Sequence, residues 1–142
     1  MEPLRASRAR DLPCAGPRPV SRIIDPAPLV GTWVNFDTAS RGLARVVVSG
    51  DGAGGSGNLR VRAFGAGSPA PVDWGEVAGE PFADGVTLQA AVGFTAVYGF
   101  GGMRVMLASY LNKRLLVVDA YTRFHDGSGR AGYFARDHFY IP

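Results

Sequence analysis

Three titratable side chains of this sequence have types and neighbours that could support acid–base chemistry. Glu76 follows a proline-stiffened segment and Trp74, and burial there would raise the pKa of its carboxyl toward that of a general acid or base. Tyr98 lies in a long apolar run, and His138 carries an imidazole, a side chain often used as a general acid or base. If a dry cavity brings these groups against a reactive substrate, they are its catalytic residues. The alternative is that Glu76 is solvated and Trp74 only covers the core.

The sequence has no pattern typical of a metal or cofactor site. Its two histidines lie in separate segments, and its one cysteine, Cys14, has no partner for a disulfide or a metal cluster. Gly52-x-Gly54-x-x-Gly57 matches the letters of a dinucleotide fingerprint, but the residues after it alternate like a strand. Phosphate binding by that motif requires a helix to begin directly after the glycines. We therefore expect a hairpin loop, no cofactor and no metal.

Composition indicates a small all-β protein. The chain of 142 residues has 46% hydrophobic residues, 20 Gly and 10 Pro. Gly and Pro are unfavourable inside helices and common in turns, so their number favours short strands joined by tight turns. Fourteen Arg against one Lys is typical of a GC-rich bacterial genome.

Charge and hydropathy argue against nucleic acid and membranes as partners. The net charge of +3 comes mostly from residues 1–28, so the remainder is close to neutral. Arg60 and Arg62 alternate with apolar residues as on a nucleic-acid-binding sheet, but Phe64 is the only aromatic residue on that face. No apolar run is long enough for a signal peptide or a membrane span, so we expect a cytoplasmic protein.

The chain divides into a tail and one domain. Residues 1–28 alternate Arg, Pro, Ala and Gly and cannot bury enough apolar surface to offset their ordering entropy, so we expect disorder there. Ile23 and Ile24 could dock the end of this tail on the domain, where it would act as a lid; an idle tail is the alternative. Residues 29–142 form the predicted domain.

Turn signals divide this domain into eight apolar runs with the spacing of a meander. The runs are Val30–Phe36, Leu43–Ser49, Leu59–Phe64, Trp74–Ala78, Val86–Phe100, Met103–Leu111, Leu115–Phe124 and Ala131–Ile141. A flat sheet of this size would have exposed edges, and closure removes them. The prediction is a single antiparallel, up-and-down, eight-stranded β-barrel.

The first run contains Gly31-Thr32-Trp33-Val34-Asn35, and this motif at the start of an eight-stranded meander resembles the calycin superfamily of lipocalins, fatty-acid-binding proteins and avidins. The resemblance implies that Trp33 closes one end of the barrel and that a cation from the last strand, Arg136 or Arg130, packs over its ring. In the avidin branch, an asparagine two residues after the tryptophan reaches into the ligand pocket, and Asn35 has that position here. The resemblance does not imply biotin binding, because tryptophans wall the biotin site of avidins and the sixth and seventh runs of this sequence contain none.

Strand alternation predicts which side chains face the interior. If Trp33 points inward, so does Asn35, and the third run points Leu59, Val61 and Ala63 inward. The expected inward faces of the fifth and seventh runs are Leu88, Ala90, Val92, Phe94, Ala96 and Tyr98, and Val118, Ala120, Thr122 and Phe124. The seventh run is assigned in this way because burying Asp119 and Arg123 would be costly. The eighth run allows either register.

These patterns favour binding of a mainly apolar small molecule inside the barrel. The expected ligand-binding residues are Trp33, Asn35, Trp74, Phe94, Tyr98, Thr122 and Phe124. One alternative is a cofactor-free cyclase or isomerase of bacterial secondary metabolism, with Glu76, Tyr98 and His138 as its catalytic residues. Another alternative is a barrel that is filled by its own side chains and acts only by self-association or by binding a partner. A homodimer is compatible with each of these functions.

Overall fold

The computed structural model describes residues 23–50 and 58–142, which form one closed antiparallel β-barrel. Its strands are β1 (Gly31–Asn35), β2 (Leu43–Gly50), β3 (Leu59–Gly65), β4 (Val72–Ala83), β5 (Ala91–Phe100), β6 (Met103–Asn112), β7 (Leu115–Phe124) and β8 (Tyr133–Tyr140). Each strand pairs with the next along the chain, and β1 pairs with β8 to close the ring. The predicted all-β, up-and-down, eight-stranded barrel is confirmed.

Two strand boundaries differ from the prediction. β4 continues to Ala83, whereas β5 begins only at Ala91. Between them Asp84-Gly85 starts a turn in which the Leu88 amide donates to the Gly85 carbonyl at 3.1 Å. This turn chemistry outweighs the apolar character of the segment. Leu88 is therefore 52% exposed, and the expectation that it and Ala90 lie in the interior is wrong.

Next to the irregularity between β4 and β5, Ala91 joins the core and the predicted Val92 does not, whereas most other inward assignments agree with the prediction. Trp33 and Asn35 are buried, as are Leu59, Val61 and Ala63 on β3. On β7 the inward face is the expected one, and Asp119 faces outward to pair with Arg136. These assignments hold because each strand alternates between an apolar face and a polar one.

The register of β8, which the sequence left open, is decided by its pairing with β7. Asp137 lies opposite Val118 and Phe139 lies opposite Leu116, and both partners are buried in the interior. Phe139 is therefore fully buried, and His138 points outward. The consequence of functional interest is that a carboxylate, Asp137, faces the inside of the barrel.

One end of the barrel is closed by residues 23–29. The Trp33 indole Nε1 donates to the Leu29 carbonyl at 2.8 Å, and Leu29 itself is fully buried. Asp25 bridges Ala90, so the chain crosses this end before β1 begins. Pro26 packs so tightly on Gly50 that a Cβ at that glycine would lie 2.6 Å from the Pro26 Cγ. The described part of the predicted tail thus lies against the barrel, whereas residues 1–22 and the Gly52–Gly57 motif lie outside the described residues.

The expected cation–π contact over the Trp33 ring is not formed, so this prediction is wrong. The Arg136 guanidinium points outward, donates to Asp119 at 2.7 Å and lies 5.6 Å from the Phe134 ring. Arg130 lies 3.9 Å over the Phe124 ring at the other end of the barrel. The β8 register explains this outcome, since it places Arg136 on the outer face beside a carboxylate that is a stronger partner than an indole ring.

A bulge between β3 and β4 is stabilised by one hydroxyl. The pairing shifts between Arg62 and Phe64, which frees backbone groups from the ladder. The Tyr98 hydroxyl accepts a hydrogen bond from the Ala63 amide at 3.0 Å. The same oxygen lies 3.1 Å from the Val61 carbonyl oxygen and 2.9 Å from that of Gly75. Burial raises the pKa of this hydroxyl, so it stays protonated at neutral pH.

We expect the substitution Tyr98→Phe to lower the free energy of unfolding by about 1 to 3 kcal/mol, because it leaves buried backbone groups without a partner. Urea unfolding followed by circular dichroism measures the change. Tyr110→Phe is the matched control, since Tyr110 is 46% exposed on the outer face. Equal unfolding midpoints for the two variants would contradict this account of the bulge.

Within the described residues, no helix has the length and apolar character needed to cross a membrane.

Candidate functional site

The end of the barrel opposite residues 23–29, which we call the mouth, carries five large inward-facing side chains that we call the rim. They are Trp74 on β4, Phe100 on β5, Met103 on β6, Phe124 on β7 and Tyr133 on β8. Met103 pairs with both Phe100 and Phe124, so three of the five are direct cross-strand neighbours. All five are partly or largely exposed, and Tyr133 reaches 57%.

The rim is built by the ends of two hairpins. β5 ends at Phe100, and a glycine turn in which Gly101 has φ +57° leads to Met103. β7 ends at Phe124, whose ring lies 6.2 Å from that of Tyr133. Tyr133 pairs with Thr122, one inward position before Phe124 on β7. Trp74 completes the set, with its ring 5.1 Å from that of Phe100 in an edge-to-face contact.

Beneath the rim the barrel is packed with side chains. Tyr98, Val105 and Thr122 form the next layer and are between 2 and 6% exposed. Phe94 and Trp33 lie deeper, at 1 and 4% exposed. Of the predicted ligand-binding residues, the structure thus brings Trp74 and Phe124 to an accessible surface and places Tyr98 and Thr122 directly below them.

A polar group of side chains lies across the mouth from the aromatic rim. Asn35, buried, donates from Nδ2 to the Leu43 carbonyl at 2.7 Å and accepts from the Asp37 amide at 2.8 Å. These bonds fix the β1–β2 loop, which then places the Ser40 hydroxyl 3.2 Å from Asp137 Oδ2. Both polar atoms of the Asn35 side chain therefore hydrogen-bond to backbone groups. The Asp137 carboxylate also faces the interior, and it can accept hydrogen bonds beyond the one from Ser40.

The three candidate acid–base residues do not converge. Glu76 points outward, is exposed and pairs with Arg60 at 3.1 Å. His138 is exposed on the outer face of β8, which lies across the barrel from β4 with three strands between them in either direction round the ring. Tyr98 faces inward, with its hydroxyl bound to backbone. The burial of Glu76 on which its role depended is absent, and the catalytic assignments stay predictions.

Sequence reasoning missed three rim residues, Phe100, Met103 and Tyr133. The signal that could have found them is the hairpin itself: residues that flank a tight turn pair with each other and face the same side of the sheet. Phe100 and Met103 flank Gly101-Gly102 in this way. Tyr133 required the β8 register, which the sequence did not define.

The β7–β8 turn holds the rim from outside through a compact set of polar contacts. Asp126 accepts from the Ser128 amide at 3.0 Å and from the Arg130 guanidinium at 2.7 Å, and Arg130 covers the Phe124 ring. The Ser128 hydroxyl, the Ser128 amide and Arg130 hold the pKa of Asp126 well below its usual range. The ionised carboxylate thus organises the turn that carries Phe124 and Tyr133.

No protein-family model matches this chain, and neither does any curated protein or solved structure. The class of protein is therefore defined by architecture alone: a closed, eight-stranded, up-and-down β-barrel that is compatible with a calycin-like fold. Among residues 23–50 and 58–142, no cluster of three or more His, Cys, Asp or Glu side chains could hold a metal ion.

The lowered pKa of Asp126 gives a pH prediction. A carboxyl whose pKa is lower in the folded state stabilises the fold above its unfolded pKa of about 3.9, and this stability is lost as the pH falls toward the folded pKa. Wild type should therefore have a higher Tm than the Asp126→Asn variant between pH 5 and 8, and the difference should shrink below about pH 4. Thermal unfolding followed across this range tests the prediction. A difference that does not change with pH would show that the charge of Asp126 is not involved.

Proposed function

We propose that this protein binds a small, mainly apolar molecule at the mouth of a calycin-like barrel, against the rim. The observation that carries the proposal is an asymmetry along the barrel axis. Below the rim most large inward-facing apolar side chains, such as Phe94, Tyr98 and Leu107, are buried, whereas the five rim side chains are partly or largely exposed. Apolar side chains that converge on a concave opening are the usual lining of small-molecule sites.

The calycin-like part of the proposal is supported by the closed end. The motif around Trp33 follows a short 3₁₀ turn, Ala27–Leu29, and the indole is bound to the Leu29 carbonyl. The family expectation that such a tryptophan closes one end therefore agrees with its position here. A ligand is then confined to the opposite end, where the rim lies.

The expected ligand is flat or flexible and of modest size. Covering about 250 Å² of apolar surface stabilises a complex by about 6 kcal/mol before the entropic cost of association is subtracted. We therefore expect micromolar rather than nanomolar binding. Asp137 and the Ser40 hydroxyl across the mouth would favour a ligand that presents one hydrogen-bond donor on its polar edge.

The cyclase or isomerase alternative is not part of this proposal. It requires Glu76, Tyr98 and His138 to act on one substrate, and these side chains lie on two faces of the barrel. A rim that binds an apolar ligand requires none of them.

The rim prediction is tested with a neutral fluorescent probe, Nile red, and a matched pair of methionine variants. Met103 faces the rim, and Met106, three residues along the same strand, faces outward and is 39% exposed. Met103→Gln should weaken Nile red binding about five-fold, because it removes about 1 kcal/mol of apolar contact, and Met106→Gln should not. Equal affinities in the two variants, or no saturable binding to wild type, would refute the proposal.

The two tryptophans give a second test of the same site. Trp74 is on the rim and Trp33 is buried at the far end, so a bound ligand should quench the fluorescence of the first and leave the second unchanged. The Trp74→Phe variant should therefore lose the ligand-induced quenching. Quenching that persists in this variant would place the ligand elsewhere.

A further inference from the structure

The outer surface of the barrel has two unlike halves. On β3 and β4 the outward arginines are paired with acids: Arg60 with Glu76, and Arg62 with Asp73. On β5–β8 the outward residues are largely apolar and exposed. Val97, Met106, Tyr121 and Phe134 are between 39 and 49% exposed there. An exposed apolar patch of this extent on a small domain indicates a binding surface.

These side chains line a hollow that we call the outer groove. It has a volume of about 640 Å³ and is formed by Val97, Arg104, Met106, Tyr121, Arg123 and Phe134. Thr122, Gly132 and the rim residue Tyr133 also border it, so the outer groove adjoins the rim at Tyr133, whereas Trp74, Phe100, Met103 and Phe124 do not line it. Its volume lies within the range of small-molecule sites.

Two arginines stand side by side at one end of the outer groove. Arg104 on β6 and Arg123 on β7 are directly opposite in the register, and both are exposed. Like charges in this arrangement destabilise a sheet. Elsewhere on the strands, Arg60, Arg62 and Arg136 are each neutralised by a carboxylate on the neighbouring strand. In the part of the chain that the structure describes, neither Arg104 nor Arg123 has such an ion pair.

The space next to these guanidinium groups is open. Gly99 on β5 lies opposite Arg104, and a Cβ built on it would meet no atom within 4 Å. A larger residue at this position would cover the outer groove beside the two charges. The outer groove therefore combines an uncompensated pair of cations, free volume and an apolar wall that includes Met106 and Tyr121.

We propose that the outer groove binds a small amphipathic carboxylate, with its anionic head between Arg104 and Arg123 and its apolar body over Met106, Tyr121 and Phe134. The guanidinium fork matches the geometry of a carboxylate and forms paired, charge-assisted hydrogen bonds with it. A carboxylate also removes the repulsion between the two cations. This inference does not rest on the proposed function of the rim.

The test is a calorimetric titration with decanoate and with decanol, which has a similar apolar chain and no charge. It is done at pH 7.5, below the concentration at which decanoate forms micelles. Decanoate should bind at least about ten-fold more tightly than decanol. Arg104→Gln and Arg123→Gln should each weaken decanoate binding by about that factor. Arg114→Gln, which removes the same charge from the far end of the β6–β7 hairpin, should leave it unchanged.

Each arginine variant should also unfold at a higher urea concentration than wild type, because it relieves the repulsion between like charges. Loss of binding in a variant that is more stable excludes misfolding as the cause. Gly99→Leu should abolish decanoate binding by filling the outer groove. Its backbone is extended, and space is available, so the fold should be retained.

The methionine variants separate this site from the rim. Met106→Gln should weaken decanoate binding and leave Nile red binding unchanged, and Met103→Gln should do the opposite. Equal affinity for decanoate and decanol, or for decanoate in the Arg104→Gln and Arg114→Gln variants, would overturn the proposal. Light scattering without decanoate gives a further outcome that would overturn it. If wild type is then a dimer and Gly99→Leu is a monomer, a second copy of the chain occupies the outer groove.

Discussion

Closure of the sheet by β1 and β8 is the constraint on which the rest of this structure depends. The joining ladder is short, with Val34 opposite Tyr140 and Asn35 opposite Phe139. The Phe36 amide extends it by donating to the His138 carbonyl at 2.8 Å. Once the ring is closed, each strand has an inside and an outside, and a slip of one residue anywhere would expose a buried face. The interior packing and the ring of hydrogen bonds therefore enforce each other.

Both candidate sites follow from this division of every strand into two faces. On β6, Met103 and Arg104 are adjacent in sequence but belong to the mouth of the barrel and to its outer surface. At one end of the barrel residues 23–29 cover the interior, and the Trp33 indole is bound to the Leu29 carbonyl. Both candidate sites use accessible apolar side chains: the rim at the other end of the barrel, and the outer groove along the outside of β5–β8.

Ionic contacts at the surface act mainly on local geometry in this protein. The Arg62–Asp73 pair and the Gly75 amide, 2.8 Å from Asp73 Oδ1, fix the start of β4, and Arg62 holds the pKa of Asp73 below its usual range. Because these groups are exposed, their contribution to global stability is small and is screened by salt. Their effect is to hold the β3–β4 bulge, and with it Trp74, in one position.

Much of the fold could be read from the amino-acid sequence, for identifiable reasons. Glycine-rich turns between apolar runs predicted eight strands, and the alternation of Leu59, Val61 and Ala63 with arginines predicted which side of β3 is buried. The inward direction of Trp33 on β1 also agrees with the sequence pattern, since this side chain is buried. These features are encoded locally, by turn residues and by side chains that differ strongly between the two faces of one strand.

The candidate site could be predicted only in part, because it depends on contacts between distant strands. Both faces of β8 carry aromatic and charged residues, so the sequence of β8 does not show which face is buried. Its pairing with β7 decides this, and it places Asp137 inward and Arg136 beside Asp119. Glu76 became an exposed partner of Arg60, and the Tyr98 hydroxyl was taken up by a bulge that no local signal reveals. Sequence thus determined the architecture, whereas tertiary contacts decided which residues close one end and which residues meet at the mouth and in the outer groove. The physical reason is that alternation fixes the sidedness of a strand only when its two faces differ in polarity.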